Sequence, residues 1–133
     1  LRNRDRALRE EAAELMRFVG LGGYVEARAD SMPYGALKRL EIARALAMQP
    51  RMIFLDEPAA GLNPKETQDV DALVRRIAAS GITVVLVEHD MKMVMNLSDR
   101  ILVLDYGKRL AEGTGPEVRQ NPEVIAAYLG GHA

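Results

Sequence analysis

The chain has 133 residues, 48% of them hydrophobic and 28% charged, a balance that suits one folded domain and argues against disorder. A formal net charge of −1 gives no basic surface to recommend nucleic acid as a partner, and the lack of cysteine excludes disulfides and thiolate metal sites. No apolar run approaches the length that spans a bilayer and no signal peptide opens the chain, so any membrane association is expected to come through a protein partner. Residue 1 is Leu and leads almost directly into a helical pattern, as in a piece of a longer polypeptide.

From residue 5 to 19, Leu8, Ala12, Leu15, Met16 and Val19 fall on one helical face, and Gly20-Leu-Gly-Gly23 ends the helix. A short polar segment, 24–31, leads into Met32-Pro-Tyr-Gly-Ala36, where Pro33 and Gly35 mark a turn. Residues 37–48 then read as a helix with Leu40, Ala43, Leu46 and Ala47 on its core face, closed by Gln49-Pro50.

Next comes Met52-Ile-Phe-Leu55, which runs straight into Asp56 and Glu57 and is stopped by Pro58. An apolar run of this kind reads as a strand buried on both faces, as in a parallel sheet. Ligands of open α/β sheets bind beyond the carboxyl ends of the strands, so the two acids stand where they could hold magnesium and polarise a water. Taken alone, the same residues equally fit a solvated acidic turn capping a core strand.

Asn63 is a good helix N-cap, Pro64 suits the first helical position and Glu66 completes a capping box. The helix that follows carries Val70, Leu73, Val74, Ile77 and Ala78 on one stripe and ends at Gly81. A second strand, 82–87, runs into Glu88-His-Asp90; a short helix with Met93, Val94 and Leu97 leads to a third strand, 101–104. Tyr106-Gly107 turns into a short strand around 109–111, and two short helical pieces, with Tyr128 and Leu129 late in the second, close the chain. Strand and helix alternate, which predicts an α/β layer architecture with a mainly parallel sheet and flanking helices.

Met32-Pro-Tyr-Gly-Ala36 opening a helix, the Asp56-Glu57 strand end and His89 at the next strand end stand in fixed order. In this the chain resembles the C-terminal half of an ATP-binding-cassette (ABC) ATPase domain, a partial P-loop NTPase. Met32 to Ala36, running on into Lys38-Arg-Leu-Glu-Ile-Ala-Arg-Ala-Leu46, resembles the signature and its helix; Met52 to Pro58 resembles Walker B; Ala60-Gly-Leu-Asn63 lies at the D-loop and His89 at the switch histidine. The resemblance divides the chain into 1–48 from the helical subdomain with the signature helix, 49–113 with Walker B, D-loop and switch histidine, and 114–133 as a C-terminal helical tail. Within the family, the Tyr34-Gly35 form of the signature, the segment from Ala59 to Glu66, Glu88-His-Asp-Met91 and the tail from Gly113 to Gly130 are similar to branched-chain amino acid importers.

The resemblance implies roles. Glu57 is the general base that orients the attacking water, Asp56 holds Mg2+, and His89 senses the γ-phosphate of ATP. Tyr34, Gly35 and Ala36 belong to the element that closes over ATP bound to a second ATPase subunit, and Asn63 couples the two sites of that head-to-tail homo- or heterodimer. Membrane-spanning permease subunits are the implied partners, at the cytoplasmic face of the inner membrane, and ATP hydrolysis drives the import. A helix N-terminus as an anion site has a physical basis in its free N–H groups and positive dipole end.

Two departures stand out. Pro33 replaces the usual serine and offers neither hydroxyl nor N–H, and Ala36 replaces the usual glutamine. No G-x-x-x-x-G-K-[ST] occurs, nor the Gln-containing loop that precedes the helical subdomain, so the chain by itself is expected to be inactive. The alternative is a non-catalytic interaction or dimerisation module that kept the fold; the retained Asp56, Glu57 and His89 argue against it. An ABC ATPase of DNA repair is disfavoured by the charge balance and the lack of a coiled-coil insertion.

Overall fold

A computed structural model describes residues 1–130; the last three residues of the tail segment, 131–133, lie outside the described residues. Two compact units can be distinguished, Leu1–Val85 and the remainder from Leu86.

In the first unit, helix α1 covers Arg2–Phe18. Its end is a Schellman turn: Gly20 has φ +80°, its N–H donates to Arg17 O, and Leu21 N–H donates to Met16 O. Arg39 and Arg76 also donate to carbonyls at this end, to Val19 and Gly20 (3.2 Å each) and to Phe18 (3.0 Å). Cations there complement the negative end of the helix. The apolar stripe expected to be buried is covered only at this end, since Leu8 and Ala12 are exposed while Val19 and Leu21 are fully enclosed.

Helix α2 spans Tyr34–Leu46, starting three residues before the expected position, with Pro33 as its N-cap. Proline fixes φ near the value found, −61°, and its missing N–H costs nothing at a helix start. The core face also differs from the expected one: Ile42, Ala43 and Leu46 are buried and Ala47 is exposed.

Strand β1 is Met52–Asp56, helix α3 is Pro64–Ala79 and strand β2 is Thr83–Val87. β1 and β2 pair, with Thr83 N–H donating to Arg51 O at 3.0 Å, and the helical crossover between them is the connection that parallel strands require. The expectation that β1 is buried on both faces is not met. Ile53 and Leu55 are buried, whereas Phe54 is 69% exposed and Met52 49%. Helix α3 buries Val70, Leu73, Val74 and Ile77; Ala78, expected on that stripe, is exposed. Gly81, at φ +96°, ends the crossover helix as expected.

In the second unit, helix α4 is Met91–Leu97, strands β3 and β4 are Ile101–Asp105 and Lys108–Gly113, and helix α5 is Gly115–Gln120. A last turn of helix, α6 at Pro122–Val124, continues as a π-helical turn over Ile125–Leu129. The chain is α/β, but β3 does not extend a parallel sheet: among the described residues it pairs antiparallel with β4 as a separate two-stranded sheet. Tyr106 and Gly107, with φ +49° and +75°, make the tight hairpin turn that such pairing needs. Val94, Ile101, Val103, Val118 and Val124 form the core, and the Tyr128 hydroxyl donates to Leu104 O.

Ile77 is fully buried, so Ile77→Ala is expected to remove about 2–5 kcal/mol of stability. Urea unfolding checks this, and a loss below about 1 kcal/mol would show that α3 does not carry the core of its unit.

Candidate functional site

Strand β1 delivers Asp56 to its carboxyl end, exposed, and Pro58, buried, turns the chain away. Between them Glu57 has φ +46°, a left-handed conformation that a non-glycine residue adopts only at a cost. A compact turn follows. Ala60 N–H donates to Glu57 O at 3.0 Å, Leu62 N–H donates to Ala59 O at 3.1 Å, and Gly61 takes φ +76°. Asn63 then caps α3 in the expected capping box: its side chain accepts from Glu66 N–H at 2.8 Å, and Glu66 Oε2 accepts from Asn63 N–H at 3.1 Å.

The first turn of α2 is held against this turn. A Cβ on Gly61 would stand 3.1 Å from Tyr34 Cε1, a tight approach that would push the ring back, and the φ of +76° independently favours glycine there. Gly35 plays the same part toward α3, where a Cβ would stand 3.2 Å from Glu66 Cδ. Tyr34 OH reaches Ala60 O at 3.5 Å, and Lys38 Nζ donates to Glu57 O at 3.4 Å, both at the long end of hydrogen bonding. Gly35 and Ala36 are buried; Tyr34 is half-exposed.

Two clefts lie beside α2. One of about 270 Å³ lies between α2 and β1 and is lined by Lys38, Glu41, Phe54 and Asp56 among others. The other, about 130 Å³, is lined by Pro33, Gly35, Ala36 and Arg39 together with the acids Glu66 and Asp69. The positive end of α2 therefore already has a carboxylate of the same chain beside it. The donors of Arg39 are turned to the end of α1.

His89 belongs to the second unit and follows β2. Its side chain is 75% exposed, so it is not an enclosed core histidine. Its backbone N–H donates to Glu88 Oε1 at 3.1 Å and Nδ1 lies 3.7 Å from the same oxygen. The Glu88 side chain is only 2% exposed, and Oε2 is buried without a hydrogen-bond partner among the described residues. Asp90 caps α4 by accepting from Met93 N–H at 3.1 Å.

The structure thus gathers Tyr34, Gly35, Glu57 and Asn63 around one turn, puts Asp56 at its entrance, and sets His89 at the next strand end. Sequence reasoning missed Lys38 and the contact of Glu66 with Gly35. The spacing of Tyr34 and Lys38, four residues apart and so on one helical face, was the available signal for the first. No comparable signal marks Glu88.

Residues 1–60, which include α2 and the Asp56-Glu57 strand end, match the family model described as ABC transporter. Residues 108–133 match the model described as branched-chain amino acid ATP-binding cassette transporter. The chain belongs to the ABC transporter ATP-binding family. It is 48% identical over 130 residues to the high-affinity branched-chain amino acid transport ATP-binding protein BraF of Pseudomonas aeruginosa, covering 97% of this chain and 51% of that protein. Against LivG of Escherichia coli, which carries the same description, identity is 48% over 122 residues, covering 91% and 48%. A crystal structure of an ATP-binding cassette of an ABC transporter in its ADP conformation superposes with TM-score 0.80 at 34% identity, covering 91% of this chain and 49% of that one. The chain spans about half the length of the curated relatives it matches. In this ABC family chain, no helix of the described residues is long and apolar enough to cross a membrane.

The capping box gives a test of how the turn is held. Asn63→Ala should cost about 1 kcal/mol, whereas Asn63→Asp, which keeps an acceptor, should change stability little. Denaturant midpoints of the two variants decide it; equal losses would mean that the cap does not anchor the turn.

Proposed function

We propose that the complete polypeptide is the ATP-hydrolysing subunit of an ABC importer for branched-chain amino acids. The observation that carries this reading is the Asp56-Glu57 strand end, with Glu57 fixed in a left-handed turn and the first turn of α2 held against the same segment. The 48% identity to BraF and LivG supports the choice of solute.

In this reading Glu57 accepts a proton from the attacking water and aims it at the γ-phosphate of ATP. Phosphoryl transfer is achieved mostly by positioning and charge compensation, which suits a carboxylate held at a rigid strand end. Asp56 is the candidate holder of Mg2+: it is an exposed, hard oxygen donor, and that ion is commonly bound through one or two carboxylates and the substrate phosphates. Mg2+ supplies charge compensation to those phosphates. The exposed imidazole of His89 is suited to a hydrogen bond with the γ-phosphate. Tyr34, Gly35 and Ala36 approach nucleotide bound by a second ATPase subunit, and Asn63 lies in the segment that couples the two sites. The phosphate-cradling loop is absent from this sequence, so the chain taken alone is inactive. The partners are that second subunit and membrane-spanning permease subunits, with the ATPase peripheral at the cytoplasmic face of the inner membrane.

Pro33 favours a second reading, a dimerisation module without catalysis. At the N-cap of α2 it makes no side-chain cap bond and has no N–H to offer.

Glu57→Gln separates the two. In the complete subunit it should lower ATP turnover at least a hundredfold while ATP binding is retained, because the isosteric amide cannot take the proton. Phosphate release and nucleotide titration measure the two quantities. A wild-type subunit that binds its partner but never turns over ATP would favour the module, and unchanged turnover in Glu57→Gln would remove Glu57 from its role.

A further inference from the structure

We infer that Lys38 is a positioning residue for Glu57: through its ammonium it fixes the Glu57 peptide and so the direction of the carboxylate. The inference rests on the reading of Glu57 as the base.

Glu57 has two features that make its conformation costly. Its φ is +46°, and it precedes Pro58, whose ring restricts the backbone of the residue before it. Such a conformation persists only where the surroundings over-determine it. The carbonyl oxygen of Glu57 is bonded both from within the turn and from outside it. It accepts from Ala60 N–H at 3.0 Å, a bond within the turn, and from Lys38 Nζ at 3.4 Å, a bond from helix α2. The first closes the turn; the second ties the turn to a rigid element.

Lys38 is itself held for this task. It is half-buried, and its ammonium sits 5.5 Å from the centre of the Tyr34 ring, one helical turn away on the same face. That ring packs on Gly61, at the far end of the turn, and its hydroxyl reaches Ala60 O. The pair therefore grips the 57–61 segment at the Glu57 carbonyl, the Ala60 carbonyl and the Gly61 Cα. The charge of the donor strengthens a contact that is long at 3.4 Å, and the ring reduces the freedom of its long stem. The Glu57 side chain leaves the same Cα whose carbonyl is pinned, so rotation of this peptide re-aims the carboxylate. A small misplacement of a reacting group is enough to cost a large factor in rate.

The test is made in the complete ATPase subunit. Lys38→Met should lower kcat about tenfold to a hundredfold with KM for ATP and Tm unchanged, and Lys38→Arg should restore most of the rate. In a Glu57→Gln background Lys38→Met should cause no further loss, because the residue it positions is gone. Amide exchange at Ala60 should rise in Lys38→Met, a readout that stands even where turnover is too low to measure. A kcat that stays at the wild-type value would overturn the inference, as would a rise in KM that accounts for the whole loss or an equal further loss in the Glu57→Gln background. If Glu57→Gln alone leaves turnover intact, the reading of Glu57 as base fails, whatever Lys38 does.

Discussion

The site depends on one constraint: the chain must leave a strand that is buried on one face and enter a helix within seven residues, while keeping a carboxylate at the strand end. The solution is a turn with two left-handed residues, Glu57 and Gly61, closed by the capping box of Asn63 and Glu66. Glycine adopts that conformation freely, but Glu57 does not. Around the strained residue Pro58 is buried, Ala60 N–H and Lys38 Nζ donate to its carbonyl, and α3 is capped at its first turn. Strand, turn and two helices thus meet at the proposed base.

The same arrangement explains the glycines beside it. Gly35 and Gly61 have different backbones but one common function, close approach. At the first, the carboxyl group of Glu66 fits against α2; at the second, the ring of Tyr34 fits against the turn. Glu66 acts twice, satisfying the N–H of Asn63 and bringing a negative charge beside the amino-terminal end of α2. In the proposed importer this links the surface offered to the nucleotide of a second subunit with the segment that follows the base. Pro33 leaves the approach to backbone groups, since it brings no hydroxyl.

Much of this was legible in the residues. The capping box at Asn63-Pro64-Lys-Glu66, the strand ended by Pro58, the glycine ends at Gly20 and Gly81 and the Tyr106-Gly107 turn all rest on local chemistry, and local chemistry decided them. What misled was partnership. An apolar run says that a strand is suited to burial, not what covers it, and Phe54 and Met52 are exposed on the face opposite Ile53 and Leu55. Likewise Ile101 to Leu104 reads as a strand, but only the register of Ile101 with Gly113 reveals that it forms a hairpin with β4. The four-residue spacing of Tyr34 and Lys38 puts both on one helical face, but the bond of Lys38 to a carbonyl nineteen positions away in the chain is long-range and cannot be read from that spacing. Pro33 and Gly35 looked like a turn, whereas the helix already begins at Tyr34, because a proline at the N-cap costs a helix nothing.

The proposed function, in which the complete polypeptide drives an importer for branched-chain amino acids, makes a demand on whole cells. The most direct measurement is uptake of radiolabelled leucine by source cells from which the coding sequence for this chain has been deleted. The account predicts that energised uptake falls to the passive level and returns when the wild-type sequence is restored. Uptake that is unchanged by the deletion, with no second importer of that solute active in the cells, would contradict it.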